Sequence, residues 1–459
     1  MTPPAHRGTT AHLGAAYPFV AARGLGPGGV VIGRDLLGGA FAYDPFDLYR
    51  RGVLSNPNMV VIGQIGRGKS AFVKSYLWRQ SVLGRQAWVV DPKGEYGPLA
   101  RAWGVEPIRL RPGGPVRLNP LDPGPAGRGR RPPVDAGGGG GAAGAELLAS
   151  LVEASLGRSL RPRERTALDL ALGAVTAARS AGPPPAGAPP AGAPSAGERS
   201  AGAPTLPMVV DAMLAPSPAS ARLVCTDVPT LVDDGRDAAL ELRRLVHGEL
   251  AGMFDAPTTP GIDLDAPLVV LDLSAVYGSA ALGVLMTCAT AWLGARLATH
   301  DGRLRLFVVD EAWAILSNAG VARWLQASWK LSRAYGVANM AVIHHLSDLS
   351  ATGDQGSATV KLAHGLLADS ETVVVYAQPQ AEVARSAELL GLSSVEAGLL
   401  PQLGRGVALW KVGQRSFLVE HCLSDLERSM VDTDAAMAGN PSGFLAPEAG
   451  AGGGAWAPG

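Results

Sequence analysis

The chain has 459 residues, 47% of them apolar and 17% charged, with Lys+Arg and Asp+Glu balanced at 40 each. That length supports a large domain with insertions or two domains with a sizeable core, and a formal charge of zero excludes a global attraction to nucleic acid or acidic lipid. Three cysteines, Cys225, Cys288 and Cys422, lack metal-type spacing and exclude a disulfide framework, which suits a reducing cytoplasm.

Met1 to Pro18 has no basic start followed by an apolar run, so no signal peptide is expected. Residues 1–55 read as a short β-rich lead-in, with a turn at Gly38-Gly39. Residues 56–122 form the first part of a core. There Met59-Val60-Val61-Ile62 is a compact apolar run of buried-strand type, followed by a Gly-rich loop and a helical pattern from Ser70 to Leu83. A second buried strand, Gln86 to Val90, ends at Asp91-Pro92. Strand, loop, helix and strand in that order make a βαβ unit with a parallel sheet.

Residues 123–144 are a Gly/Pro-rich linker containing five consecutive glycines. Its Arg128, Arg130 and Arg131 fit a solvated linker better than a DNA contact. Residues 145–255 are helical in pattern, with a low-complexity stretch at 181–204 expected to be disordered. The core resumes over 256–425, with strands expected at Leu268–Leu271, Leu304–Val309, Asn339–Ile343 and Thr372–Tyr376, then a hairpin from Gly406–Trp410 and Ser416–Val419. Leu273 to Gly294 carries no formal charge and is long enough to span a bilayer. Its glycines and hydroxyl residues, and the strand just before it, favour a helix buried against a sheet. Residues 426–459 are expected to be a disordered tail.

Gly63-Gln64-Ile65-Gly66-Arg67-Gly68-Lys69-Ser70 matches the phosphate-cradling pattern G-x-x-x-x-G-K-[ST]. Its glycines let backbone N–H groups turn towards a phosphate chain, and the helix that follows presents its positive end. Gly63 through Ala71 form the expected nucleotide-binding set. Lys69 reaches the β and γ phosphates, and the Ser70 hydroxyl ligates Mg²⁺. The apolar run Leu304 to Val309 delivers Asp310 and Glu311 at a strand's C-terminal end, where open α/β sheets bind ligands. Asp310 is the expected Mg²⁺ partner, and Glu311 the group that orients or deprotonates the attacking water. For Asp91, a role near Mg²⁺ and a turn-capping role stand side by side.

The order G-Q-I-G-R-G-K-S, D-P-K-G-E-Y (Asp91 to Tyr96), R-L-N-P-L-D (Arg117 to Asp122) and V-V-D-E-A-W (Val308 to Trp313) resembles the TraC-type conjugation ATPases of the HerA–FtsK division of P-loop motors. Leu331 to Gly336 and His344 to Leu349 agree with it. The likeness runs from about Asn56 to Val419, interrupted by the two low-complexity segments. It implies an α/β RecA-like P-loop fold with a helical insertion, and ATP and Mg²⁺ as ligands. It also implies a homo-hexameric ring in the cytoplasm, at the inner face of the membrane, working with a membrane-embedded secretion or conjugation complex and with DNA as a further partner. Arg333 then falls where the family faces a neighbouring subunit's nucleotide, an arginine-finger position, with Arg405 as a second candidate and a surface ion pair as the alternative for either.

Two departures matter. The family's large N-terminal docking domain is not expected in the short stretch ahead of the P-loop strand, and His344 stands where the family has a γ-phosphate-sensing Gln. Two other readings stay open: a double-stranded DNA pump of the FtsK kind, and a nucleotide-gated scaffold with little hydrolysis.

Overall fold

The computed structural model describes residues 24–122, 139–180, 203–248, 250–279, 282–297, 302–313, 326, 329–330, 332–344 and 365–431. The linker arginines, most of the segment 181–204 and the tail beyond Val431 lie outside these residues, as does His345 to Leu349.

The described strands are β1 (Val30–Asp35), β2 (Gly39–Tyr43), β3 (Met59–Ile62), β4 (Gln86–Asp91), β5 (Ile108–Arg109), β6 (Leu268–Asp272), β7 (Arg305–Val309), β8 (Val337–Ile343), β9 (Thr372–Tyr376), β10 (Val407–Val412) and β11 (Arg415–His421). They form one sheet in the order β2-β1-β11-β10-β9-β3-β8-β7-β4-β6-β5. From β9 to β5 every pairing is parallel. From β9 back to β2 every pairing is antiparallel.

The parallel strands are continuous apolar runs because both faces are covered. In β3, Val60 and Ile62 point into one core layer and Met59 and Val61 into the other, as alternate residues of a strand must. On the second face lies the P-loop helix, Lys69–Gln80, through Phe72, Val73, Tyr76 and Leu77. On the first face, helix Leu282–Leu297 buries Leu285, Met286, Ala289, Trp292 and Leu293. Within the uncharged stretch, Leu273, Val276 and this helix face are therefore core, and no described helix is long and apolar enough to cross a membrane.

The helices between the two parts of the core, Gly139–Leu156, Pro162–Ser180, Leu206–Leu214, Pro218–Leu223 and Val228–His247, extend the same first-face core. The R-L-N-P-L-D segment is the joint. Leu118 N–H donates to the Met253 carbonyl at 2.8 Å, and Arg117 pairs with Asp255 at 3.1 Å. Asn119 Nδ2 donates to the carbonyl of Pro204 at 2.8 Å, so the end of the Pro-rich connector is tied to the core.

The lead-in is part of the main sheet. β1 pairs with β11 through Gly33↔His421 and Arg34↔Glu420, and Arg79 of the P-loop helix fastens this edge. Its guanidinium donates to the Val31 and Ile32 carbonyls at 2.7 and 3.0 Å, to the Cys422 carbonyl, and to Glu427 on helix Asp425–Val431.

Candidate nucleotide-binding site

The loop Gly63–Gly68 leaves the C-terminal end of β3 and enters helix Lys69–Gln80. Gly63 N–H donates to the Ile343 carbonyl and Gln64 N–H to that of Ala377, so the loop springs from a point where β8 and β9 both end. A Cβ on Gly63 would lie 2.5 Å from Cβ of Tyr376, which only glycine avoids. Gly68 has φ 108° and its space is closed by Gly406, whose N–H donates to the Arg67 carbonyl at 3.0 Å. Ile65 stands exposed at the loop tip, and Ser70 and Ala71 open the helix.

Lys69 is buried, and its ammonium donates to the loop's own Gly63 and Gln64 carbonyls. Burial lowers its pKa to about 8 against the opposing pull of Asp310 and Glu311. Asp310 is buried too. Burial first, and then the neighbouring Glu311 charge, push its carboxyl up to about 6. One group is an ammonium in need of an anion and the other a carboxylate in need of a cation, at the same sheet edge. Together with the Ser70 hydroxyl, this donor set of hard oxygens and one lysine suits Mg²⁺ and phosphate.

Glu311 takes the left-handed backbone region at φ 52°, a conformation costing a non-glycine residue roughly 1–2 kcal/mol. Such strain concentrates at functional positions. Its Oε1 accepts from Lys93 Nζ at 2.5 Å and lies 2.6 Å from His344 Nε2, and its Oε2 accepts from Trp313 Nε1 at 2.5 Å. Burial would raise this carboxyl, but the three contacts outweigh it and hold it down at about 2. A group so weakly basic serves better to orient water than to take its proton outright.

Asp91 accepts from the N–H groups of Lys93, Gly94 and Tyr96 at 3.2, 2.9 and 3.0 Å, which makes it the cap of the turn after β4. Its burial raises its pKa to about 7. Glu95 faces the fully buried Lys74 of the P-loop helix at 3.8 Å.

The structure thus brings together Gly63–Ala71, Asp310, Glu311 and His344. It does not bring Arg333 to them. Arg333 is exposed, and its Nη1 donates to the Ser55 carbonyl at 3.4 Å. Ser55 precedes β3 and Arg333 precedes β8, so both lie at the opposite sheet edge, roughly 20 Å from the loop by the length of β8. Arg405, exposed and next to Gly406, stands instead on the P-loop rim. Sequence reasoning passed over Lys93 and Trp313 as site residues. Lys93 lies two residues past the end of β4, and the sheet order is what shows that this strand neighbours the one carrying Asp310 and Glu311.

The fold has counterparts among solved structures. The chain superposes on VirB4 of Thermoanaerobacter pseudethanolicus with a TM-score of 0.68 and 21% identity, covering 88% of this chain and 100% of that one. The chain has the fold of VirB4. That VirB4 fold is shared more distantly with the plasmid coupling protein TrwB. Its complex with a non-hydrolysable ATP analogue gives a TM-score of 0.54 at 13% identity, over 90% of this chain and 92% of that one. Its complex with ADP and Mg²⁺ gives 0.53 at 13%, over 90% and 93%. No family model matches the chain, and no curated protein matches it in sequence.

Proposed function

We propose that this chain is an ATP-hydrolysing motor of a conjugation or type IV secretion apparatus. The observation that carries the reading is the meeting, at one sheet edge, of a phosphate loop with its buried Lys69 and a strand end bearing Asp310 and the strained Glu311. The VirB4 fold over nearly the whole chain and the TrwB complexes with nucleotide support the same reading.

In this reading Lys69 leaves the carbonyls of its own loop to hold the β and γ phosphates, while the loop N–H groups wrap them. Ser70 and Asp310 hold magnesium, which supplies charge neutralisation across the phosphate oxygens when bound. Glu311 positions water in line with the terminal phosphoryl group, and His344, in contact with its Oε1, takes the sensing position. The P-loop core spans 56–122 and 256–425, the helical insertion 145–255. The working form is a homo-hexamer on the cytoplasmic side, docked on a membrane complex and moving DNA or protein. An arginine from the neighbouring subunit, Arg333 or Arg405, completes each site.

The test is magnesium-dependent phosphate release from the purified chain, with Glu311→Gln as control. Turnover that Glu311→Gln abolishes supports the reading. Binding of ATP without any turnover, with or without DNA, overturns it in favour of a scaffold.

A further inference from the structure

Lys93 sits beyond the end of β4, whose Val90 is in register with Val309 of β7. Asp310 N–H donates to the Val90 carbonyl at 3.2 Å, so the two strand ends are held side by side and the Lys93 side chain reaches across to Glu311. Its ammonium also lies 3.3 Å from His344 Nε2 and 6.0 Å from the centroid of the Tyr277 ring. About a quarter of the side chain is exposed. It is close enough to Lys69 and Asp310 for its charge to act on both. Lys69 on the loop and Lys93 opposite therefore both act on Asp310 and Glu311.

A carboxylate offers about four acceptor positions. Among the described residues, Lys93 and His344 both meet Oε1 and Trp313 meets Oε2, so Oε1 is filled and Oε2 keeps one open position. Departure of Lys93 would add a position on Oε1 to the one open on Oε2. His344 and Trp313 are rigid ring donors, one just past the end of β8 and the other at the start of a helical turn. Lys93 carries a long flexible side chain and a full charge, and it is the one of the three able to change partner over several ångströms.

We propose that Lys93 exchanges Glu311 for the terminal phosphoryl group of ATP, so that one lysine both reads the third phosphate and frees the carboxylate that positions water. ADP offers no such partner, and with ADP Lys93 stays on Glu311. The proposal rests on the ATPase reading above and adds to it a residue that separates ATP from ADP.

The experiment uses the full chain with Mg²⁺, titrated calorimetrically with a non-hydrolysable ATP analogue and with ADP. Wild type should bind both. Lys93→Met should bind the analogue roughly tenfold or more weakly, the loss of one charge-assisted contact, with little change for ADP. Lys93→Arg should keep most of the preference. The selective loss should persist when Lys93→Met is placed on Glu311→Gln, because the contact is with the nucleotide. Equal weakening of both ligands, no change in either, or disappearance of the effect on Glu311→Gln would overturn the exchange and leave Lys93 as a positioning residue for Glu311. If wild type binds neither nucleotide, the ATPase reading itself fails, a separate result. Melting curves check folding, and Lys93→Gln carries the same comparison if the methionine variant does not fold.

Discussion

The helical insertion and the P-loop edge both bury charge, and they do it in opposite ways. In the helical insertion, Glu164 is almost fully covered yet satisfied: Arg158 grips it with two nitrogens at 2.8 and 2.7 Å, Arg161 adds a third at 2.7 Å, and the Arg161 N–H a fourth. The Arg158 contact leads the effects that hold its carboxyl at about 2. At the P-loop edge, Lys69 and Asp310 are also covered, but burial drives both towards neutrality. The first cluster is closed and complete, as structural ion pairs are. The second holds its charges at a cost that a phosphate and a cation would remove. Burial alone does not mark a site; burial left without full compensation does.

The comparison can be broken at its strongest point first. Lys69→Ala should abolish nucleotide binding, because Lys69 is the buried ammonium of the loop; unchanged affinity for a fluorescent ATP analogue would remove the site from this edge. Glu311→Gln should bind ATP normally and hydrolyse it at least roughly a hundredfold more slowly. Near-normal turnover in a phosphate-release assay would move the water-positioning role elsewhere. For the shared site, Lys69→Ala and an arginine variant should each be inactive alone and recover part of the activity in mixed rings. Both Arg333→Ala and Arg405→Ala belong in that test, since Arg405 stands on the loop rim and Arg333 on the far edge. If mixed rings form and no ratio exceeds the parents, neither arginine acts across subunits.

The closed cluster makes smaller predictions. Glu164→Gln should destabilise the protein by about 1 kcal/mol and leave nucleotide affinity alone. Since the folded carboxyl lies at about 2, below its ordinary 4.5, its contribution is whole above that ordinary value and fades as pH falls towards 2. The gap in melting temperature between wild type and Glu164→Gln should therefore close on acidification. A gap that stays constant would show that shape, not charge, is what Glu164 supplies. The smallest effect belongs to deletion of residues 181–202, which should barely move the melting temperature because loop closure depends weakly on length. Carrying the deletion through Pro204 should cost more, since its carbonyl is bonded to Asn119.

The parallel half of the sheet was legible because strands covered on both faces read as unbroken apolar runs: β3, β4, β6, β7, β8 and β9 all lie within a few residues of their expected places. Their order was not, because nothing local in Val337–Ile343 says that it separates the P-loop strand from the Asp310 strand. The lead-in at Val30–Tyr43 looked like a separate piece for the same reason, since its partner β11 is remote in sequence. In the site, the loop and the Asp310-Glu311 pair announced themselves by spacing. Lys93 did not, since a lysine in a turn looks like solvated charge until its neighbour is known. Asp91 kept two readings in the sequence, and its three accepted N–H bonds give it the work of a turn cap.

The Arg79 clamp has a consequence for how the molecule is made. Arg34 and Glu420, which face each other across β1 and β11, are 386 positions apart. The P-loop helix is fastened through Arg79 to carbonyls on the early strand and to a carboxylate near the last described residue. On the ribosome the hairpin β1–β2 emerges well before β11, with one edge bare until that strand arrives, and the helix meanwhile has half of its clamp. Contacts that close so long a loop are slow to form. A strand made long after the phosphate loop thus completes that loop's seat, and a chain not yet extended through β11 should hold the loop loosely.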